Sequence, residues 1–274
     1  MTTVDITHIG GPTTLIEVGG WRLLTDPTFD SPGRRYTFGW GSASRKLHGP
    51  SIPAADIGRI DAVLLSHDHH ADNLDDAGRA LLPGAGAVLT TTAGARRLAG
   101  RLGPRVGGSG ARVRGLEPWA ATRLEAPGLP TIEVTATPRR HGPPGSRPIT
   151  GDVIGFALTW PGQQRGALWI SGDTVLFDGV RAVADRVDVG TALLHLGGVQ
   201  FPVTGPVRYS MTAAQAVEVC ELIRPHTAIP VHYEGWSHFR QGRDVVEEAV
   251  GRAPADVGEV IRWAPIGDRL SIIA

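Results

Sequence analysis

The chain has 274 residues, with 27 Lys and Arg against 27 Asp and Glu, so no charge excess points to a nucleic-acid or membrane-surface partner. Its single cysteine, Cys220, excludes an intramolecular disulfide and fits a reducing compartment. No apolar run reaches the roughly eighteen residues needed to span a bilayer, and "MTTVDITHIGGP" has no basic segment leading into an apolar one. The expectation is a cytoplasmic protein without leader or membrane span.

Short β-like segments open the chain at Asp5–His8, Thr13–Val18 and Trp21–Thr25, the last two joined by the hairpin signal Gly19-Gly20. Residues 30 to 56 read as a long loop rich in Gly, Pro and Arg. A continuous apolar strand follows at Ala62–Leu65. Helices are predicted at Asp75–Leu82 and Thr92–Leu102, with a strand at Ala87–Thr90 between them. Further strands are predicted at Arg112–Gly115, Thr131–Thr137, Ile154–Thr159 and Ala167–Ile170, with a second loop over 140 to 151. Then come a helix near Phe177–Ala184, a strand at Thr191–Leu194 and a helix from Thr212 to Ile223. That helix has Thr212 as N-cap and places Ala216, Val219, Cys220 and Ile223 on one face. A strand at Ala228–Val231, a helix at Arg243–Val250 and two closing strands complete the order. Strands come in runs with helices interspersed in each half, which predicts a four-layer αββα sandwich spanning 1–274 as one domain.

The stretch "LLSHDHHADNLDD" carries three histidines and four aspartates directly after the apolar strand. If the backbone stays extended there, His67 and His69 point the same way, and imidazole pairs suit zinc and other transition metals. An exposed polar loop with a helix-capping Asp would explain the same residues. Three downstream residues favour the metal: His141 after the strand Thr131–Thr137, Asp173 in "WISGDT" and His232 in "AIPVHYEG". Each follows a strand, as a metal site at a sheet edge requires.

Together, "HIGGPTTLIEVGGWRLLTDPTF", "LLSHDHHADNLD", "TPRRH", "ISGDT" and "IPVHYEG" resemble the metallo-β-lactamase fold superfamily in order and spacing. The nearest likeness is to the branch containing bacterial ascorbate-6-phosphate lactonases and N-acyl-phosphatidylethanolamine phospholipase D. The resemblance covers roughly residues 5 to 240. It implies that His67, His69 and His141 hold a first divalent ion, that Asp173 bridges to a second, and that His232 binds the second. The family pattern H-x-H-x-D-H is altered here, because residues 71 to 73 read Ala-Asp-Asn. Without a gap, Asp72 takes the place of the histidine. With one inserted residue, Asp72 keeps the Asp role and Asn73 replaces the histidine, the alignment that "DNLDD" favours. Asn suits manganese better than zinc.

The resemblance further implies one or two divalent ions, zinc foremost, with manganese or iron as alternatives. The metal would activate water to attack an ester-like bond, lactone or phosphodiester, of a small and perhaps anionic substrate. Asp72 would orient the attacking water or take its proton. Asp26 in "LLTDPTF" would steady a ligand histidine, or merely start an Asp-Pro turn. His195 and His238 are candidates for contacting substrate, and equally readable as a buried and a loop histidine. Arg34, Arg35, Lys46, Arg139, Arg140 and Arg147 sit in loops expected near the mouth, where one of Arg139 and Arg140 could clamp an anion. His8 and Cys220 read as structural, and His70 as a neighbour of the site. The run Gly107-Gly108-Ser109-Gly110 lacks the Lys of a phosphate-binding loop. A non-hydrolytic metal binder and an iron oxidoreductase on the same fold stay open, as does a homo-oligomer.

Overall fold

The computed structural model describes residues 2–39, 41–102 and 112–274; the glycine-rich run at 107–110 lies outside them. The first half runs β1 (Thr3–Gly10), β2 (Thr13–Val18), β3 (Trp21–Thr25), β4 (Arg35–Gly39), β5 (Ser42–Arg45), β6 (Ala62–Leu64), α1 (Asp76–Leu81), β7 (Ala87–Thr91), α2 (Thr92–Leu102) and β8 (Arg112–Leu116). The second half runs β9 (Ala121–Leu124), β10 (Ile132–Pro138), α3 (Arg147–Thr150), β11 (Ile154–Thr159), β12 (Ala167–Ile170), α4 (Asp178–Arg186), β13 (Val189–His195), α5 (Ala213–Ile223), β14 (Thr227–Val231), α6 (Arg243–Gly251), α7 (Ala255–Val260) and β15 (Arg269–Ile273).

Among the described residues, one sheet has the order β15-β1-β2-β3-β6-β7-β8 and the other β14-β13-β12-β11-β10-β9. Their inner faces share one core, in which Ile6, Ile16, Leu23 and Leu64 of the first sheet meet Val134, Phe156, Leu168 and Ile229 of the second. The outer face of the first sheet is covered by α1, α2 and the 52–60 segment, through Leu74, Leu82, Leu98 and Ile60. The outer face of the second is covered by α4 to α7, through Val180, Val183, Val219 and Val246. The αββα sandwich is therefore the observed fold. β13 is buried along its whole length, as expected of a strand in parallel pairing with β12 and β14 and covered on both faces.

The expected elements are present with shifts of a residue or two. α5 begins at a capping box between Thr212 and Gln215 and ends at Arg224 in the left-handed region. Four places differ from expectation. The 30–56 loop contains the β4–β5 hairpin, and the 140–151 loop contains the single turn α3. Only one strand closes the chain, β15, because the segment before it coils into α7. β9 has no apolar alternation to betray it; it is a four-residue edge strand, held by its pairing with β10.

This topology brings several strand ends to one edge. β3 and β6 run parallel in the first sheet, and β12, β13 and β14 run parallel in the second. β10 points the same way as β12, since both are antiparallel to β11. The two sheets are joined there by Ile154 N–H donating to the Ser66 carbonyl at 3.2 Å. Loops leaving the carboxyl ends of β3, β6, β10, β12 and β14 thus meet in one place, the usual location of a site in sheets of this kind.

Candidate metal centre

Two groups of ligating atoms converge at that edge. His67, His70 and His141 form one, and Asp72, Asp173 and His232 the other, each with its atoms within 4.8 Å of one another and every residue buried. In the first group, His70 Nδ1 is 3.1 Å from His67 Nε2 and 3.2 Å from His141 Nε2. In the second, His232 Nδ1 is 3.4 Å from an Asp173 oxygen, and its Nε2 is 3.8 Å from Asp72 Oδ2.

The sequence placed His69, not His70, beside His67 and His141. That expectation assumed an extended backbone beyond β6. Instead the chain bends at Asp68-His69 and enters a turn in which Asn73 and Leu74 N–H both donate to the His70 carbonyl. The bend makes residues three apart share a direction. Arg97 forks onto the Asp68 carboxylate and Arg79 donates to its carbonyl, which holds the bend. His69 turns outward, its Nε2 donating to the Thr150 carbonyl at 2.5 Å. A side chain at Gly151 would run into that ring, its Cβ 2.6 Å from the imidazole. One signal could have found His70: it stands two residues before Asp72, the interval that separates His from Asp in the family pattern. The inserted residue thus falls between His67 and His70, and Asp72 and Asn73 keep the last two places.

The local bonding prepares the imidazoles as ligands. His141 Nδ1–H donates to the Tyr209 carbonyl at 2.5 Å, which fixes the tautomer and leaves the Nε2 lone pair facing the group. His67 Nδ1 bonds the Ser66 hydroxyl at 2.9 Å, again freeing Nε2. Burial and neighbouring histidines hold His67 and His70 well below their ordinary range, and burial brings His141 down to about 4. These rings are neutral at physiological pH, the form that binds a metal. The second group differs. Burial pushes the His232 imidazole down, but Asp173 and Asp72 overcome this and raise it to about 9. Burial likewise raises Asp173, with Asp72 and Asp26 nearby. For Asp72, burial is outweighed by His232 and His238, which hold it well below the usual carboxylate range.

A cation fits this arrangement. Asp72 Oδ1, both Asp173 oxygens and both His232 ring nitrogens are buried with no hydrogen-bond partner. Orphaned buried polar atoms of that kind, the carboxylate oxygens above all, are costly unless a cation completes the group. His232 and Asp26 also adopt positive φ, 59° and 30°, a strained choice for residues with side chains that concentrates at functional sites. Asn73 is buried, with Oδ1 unpaired and Nδ2 3.5 Å from the Ser66 hydroxyl.

The remaining candidates separate clearly. Asp26 accepts from Ser66 N–H at 2.6 Å, while its other oxygen lies 3.7 Å from His195 Nε2. Burial raises Asp26 to about 7. His195 is buried behind His232, bonded to Ser171, and away from the open cavity at the groups. His238 joins the site: its Nε2 donates to Asp72 Oδ2 at 2.9 Å and its Nδ1 meets the Ser44 hydroxyl. Arg139 does not face the centre. It is half-buried against Trp169 and donates to Thr137 Oγ1 and the Ile170 carbonyl. Arg140 lies over Phe177. Lys46, expected at the mouth, is buried in an ion pair with Asp75 at 2.8 Å, and Asp75 also caps α1. Arg34 pairs with Asp76, and Arg147 with Asp152. His8 is structural, its Nε2 bonding the Gly11 carbonyl beside the His232 backbone.

Residues 21–233 match the family model described as a beta-lactamase superfamily domain. The chain belongs to that superfamily. A relative in Deinococcus radiodurans, described as a UPF0173 metal-dependent hydrolase, is 31% identical over 238 residues, covering 84% of each protein. Among solved structures, a possible metal-dependent hydrolase from Veillonella parvula superposes with a TM-score of 0.80 at 18% identity, over 97% of this chain and 98% of that one. An isothiocyanate hydrolase from Delia radicum gut bacteria gives 0.79 at 19% identity, over 98% and 99%. At such identities the superfamily member shares their fold, and its chemistry has to come from its own residues. No helix among the described residues is long and apolar enough to cross a membrane.

Proposed function

We propose that the protein is a metal-dependent hydrolase whose centre is formed by His67, His70 and His141 with Asp72, Asp173 and His232. The observation carrying this reading is the pair of buried ligand groups, the second of which holds carboxylate and imidazole atoms with no hydrogen-bond partner. Family membership and the hydrolase relatives support it.

Three imidazoles suit zinc, while two carboxylates beside one imidazole also accept manganese or iron. Bound there, divalent metal supplies a hydroxide nucleophile at neutral pH and polarises the bond under attack. The protein's own residues do the rest. Asp72, steadied by His238 on one oxygen, has its other oxygen free to orient the attacking water. Asp173 stands against His232, 3.4 Å from its Nδ1. The apolar body of the sandwich keeps bulk water from one side. Hydrolysis of an ester-like bond in a small molecule fits these parts.

Elemental analysis and a panel of ester, lactone and phosphodiester substrates test the reading. About one to two equivalents of divalent metal are expected, with turnover lost on chelation and regained on restoring metal. Protein that binds no divalent metal would overturn it.

A further inference from the structure

We infer that the substrate is a small, uncharged molecule carrying an aryl or branched-alkyl tail. This rests on the hydrolase reading above and adds the chemistry of the part that does not react. A cavity of about 280 Å³ opens on the centre, with His70, Asp72 and His141 in its wall. The rest of its lining is Phe38, Ile149, Val199, Phe201, Val203 and Tyr209, together with the hydroxyl residues Ser42, Thr150 and Thr204. The volume is at the lower end of the range for ligand pockets, so the occupant is small.

Charge decides its class. Asp72 is the only formally charged side chain, apart from the histidines, among the described residues lining this cavity. An anionic tail would leave water with no cation to receive it, which is costly. Four of the six cations that the sequence places near the mouth are engaged elsewhere, Lys46 with Asp75, Arg34 with Asp76, Arg147 with Asp152 and Arg139 within the second sheet, and neither Arg35 nor Arg140 lines this cavity. A neighbouring cavity of about 360 Å³ does hold Arg139, Arg140 and Arg147, but His141 is the one group residue it touches.

The walls are built for an apolar tail. Phe38 comes from the β4–β5 hairpin, and packs on Phe201 at 5.4 Å between ring centroids. Phe201 in turn stacks on His238 at 4.9 Å and 9°, so the apolar wall is joined to the residue holding Asp72. At the rim stand Ile149 and Val203, 45% and 60% exposed, large apolar residues left open to solvent. An apolar rim around a centre of this kind is what a tail would cover on binding.

Hydroxamic acids provide a test independent of turnover, since they chelate the metal whatever bond the enzyme breaks. Calorimetry on the metal-loaded protein would compare acetohydroxamate, phenylacetohydroxamate and the monohydroxamate of succinic acid, which carries a carboxylate. The phenyl tail should tighten binding at least tenfold over the methyl, and the carboxylate should give no gain. Val203→Lys, a change at an exposed position, should cut the phenyl advantage and favour the carboxylate. Phe201→Ala should cut the phenyl advantage without favouring the carboxylate. Metal and hydroxamates bound with no preference among tails, or with the carboxylate preferred, would overturn the inference and leave the hydrolase reading standing. Metal-loaded protein that binds none of the three would overturn both.

Discussion

His238 Nε2 lies 2.9 Å from Asp72 Oδ2, although the two residues are 166 positions apart. The imidazole is clamped on its other nitrogen by Ser44 and packed between Phe38, Phe201 and Phe239, so it cannot follow Asp72 if the carboxylate moves. It therefore fixes which oxygen of Asp72 remains available. Groups of this kind, one step removed from a metal, are typically worth about 10–100-fold in metal affinity. His238→Ala should weaken the second equivalent of metal by about that factor and leave the first nearly unchanged, while His238→Gln should fall between. Titration with a competing chelator separates the two equivalents. Equal weakening of both would make His238 a general packing residue.

The second prediction turns on the bend at Asp68-His69. His70→Ala should lose the metal held by His67 and His141, whereas His69→Ala should retain it and lose only a bond to the Thr150 carbonyl. Elemental analysis of the two purified variants is sufficient. Metal lost from the His69 variant and kept in the His70 variant would restore the extended reading of the loop.

That exchange marks where the sequence stops being legible. Strands such as β13 and β14, and the Thr212 N-cap of α5, can be read because burial and caps are local in sequence. Asp173, His141 and His232 can be read because each stands within a few residues of an apolar strand. His70 required knowing that the backbone bends, and the bend is held by a contact between Asp68 and Arg97, 29 residues apart. Lys46 and Arg139 look like solvated loop charges in the sequence. Their carboxylate and carbonyl partners come from other elements, so only the fold shows Lys46 buried and Arg139 packed into the second sheet. The cavity wall is hidden for the same reason, since Phe38 and Phe201 are far apart in the chain.

The metal-free protein should be acid-sensitive. His8, His67, His69, His70, His141 and His195 are all held below their ordinary 6.5, with burial the leading cause, and His195 falls to about 3. The unfolded chain takes up protons at these positions first, so stability is full above about 6.5 and falls as the pH drops towards the folded values. For His141 alone, moving from 6.5 to about 4 corresponds to at most about 3 kcal/mol. Asp26, Asp173 and His232 are raised and oppose this, gaining stability as the pH falls, but they are three against six. Urea midpoints of chelator-treated protein should decline from pH 7.5 to 5. His195→Gln, which spares all six ligand candidates, should make the decline shallower. A midpoint that holds or rises towards pH 5 would show that the three raised groups dominate.

Arg139 supplies the last prediction, because its position next to Arg140 and His141 suggests an anion clamp while its surroundings argue for scaffolding. Burial lowers its guanidinium to about 9, partly opposed by Asp173. Its Nη2 donates to Thr137 Oγ1 at 2.8 Å and to the Ile170 carbonyl at 3.0 Å, tying β10 to β12 just before the loop that carries Asp173. Gly155 makes room for it, since a Cβ there would lie 1.8 Å from the guanidinium. Arg139→Ala would take a donor from the Ile170 carbonyl, leave Thr137 Oγ1 with Trp169 Nε1 alone, and remove the stacking on Trp169. A loss of about 2–4 kcal/mol is expected. Arg139→Lys should recover little of it, because an ammonium neither stacks on Trp169 nor spans both acceptors in the same geometry. In kinetics, each variant should lower kcat/KM alike for an anionic and a neutral substrate sharing one leaving group. The discriminating outcome is a variant with an unchanged urea midpoint and a tenfold loss confined to the anionic substrate, which would return Arg139 to the substrate's side of the site.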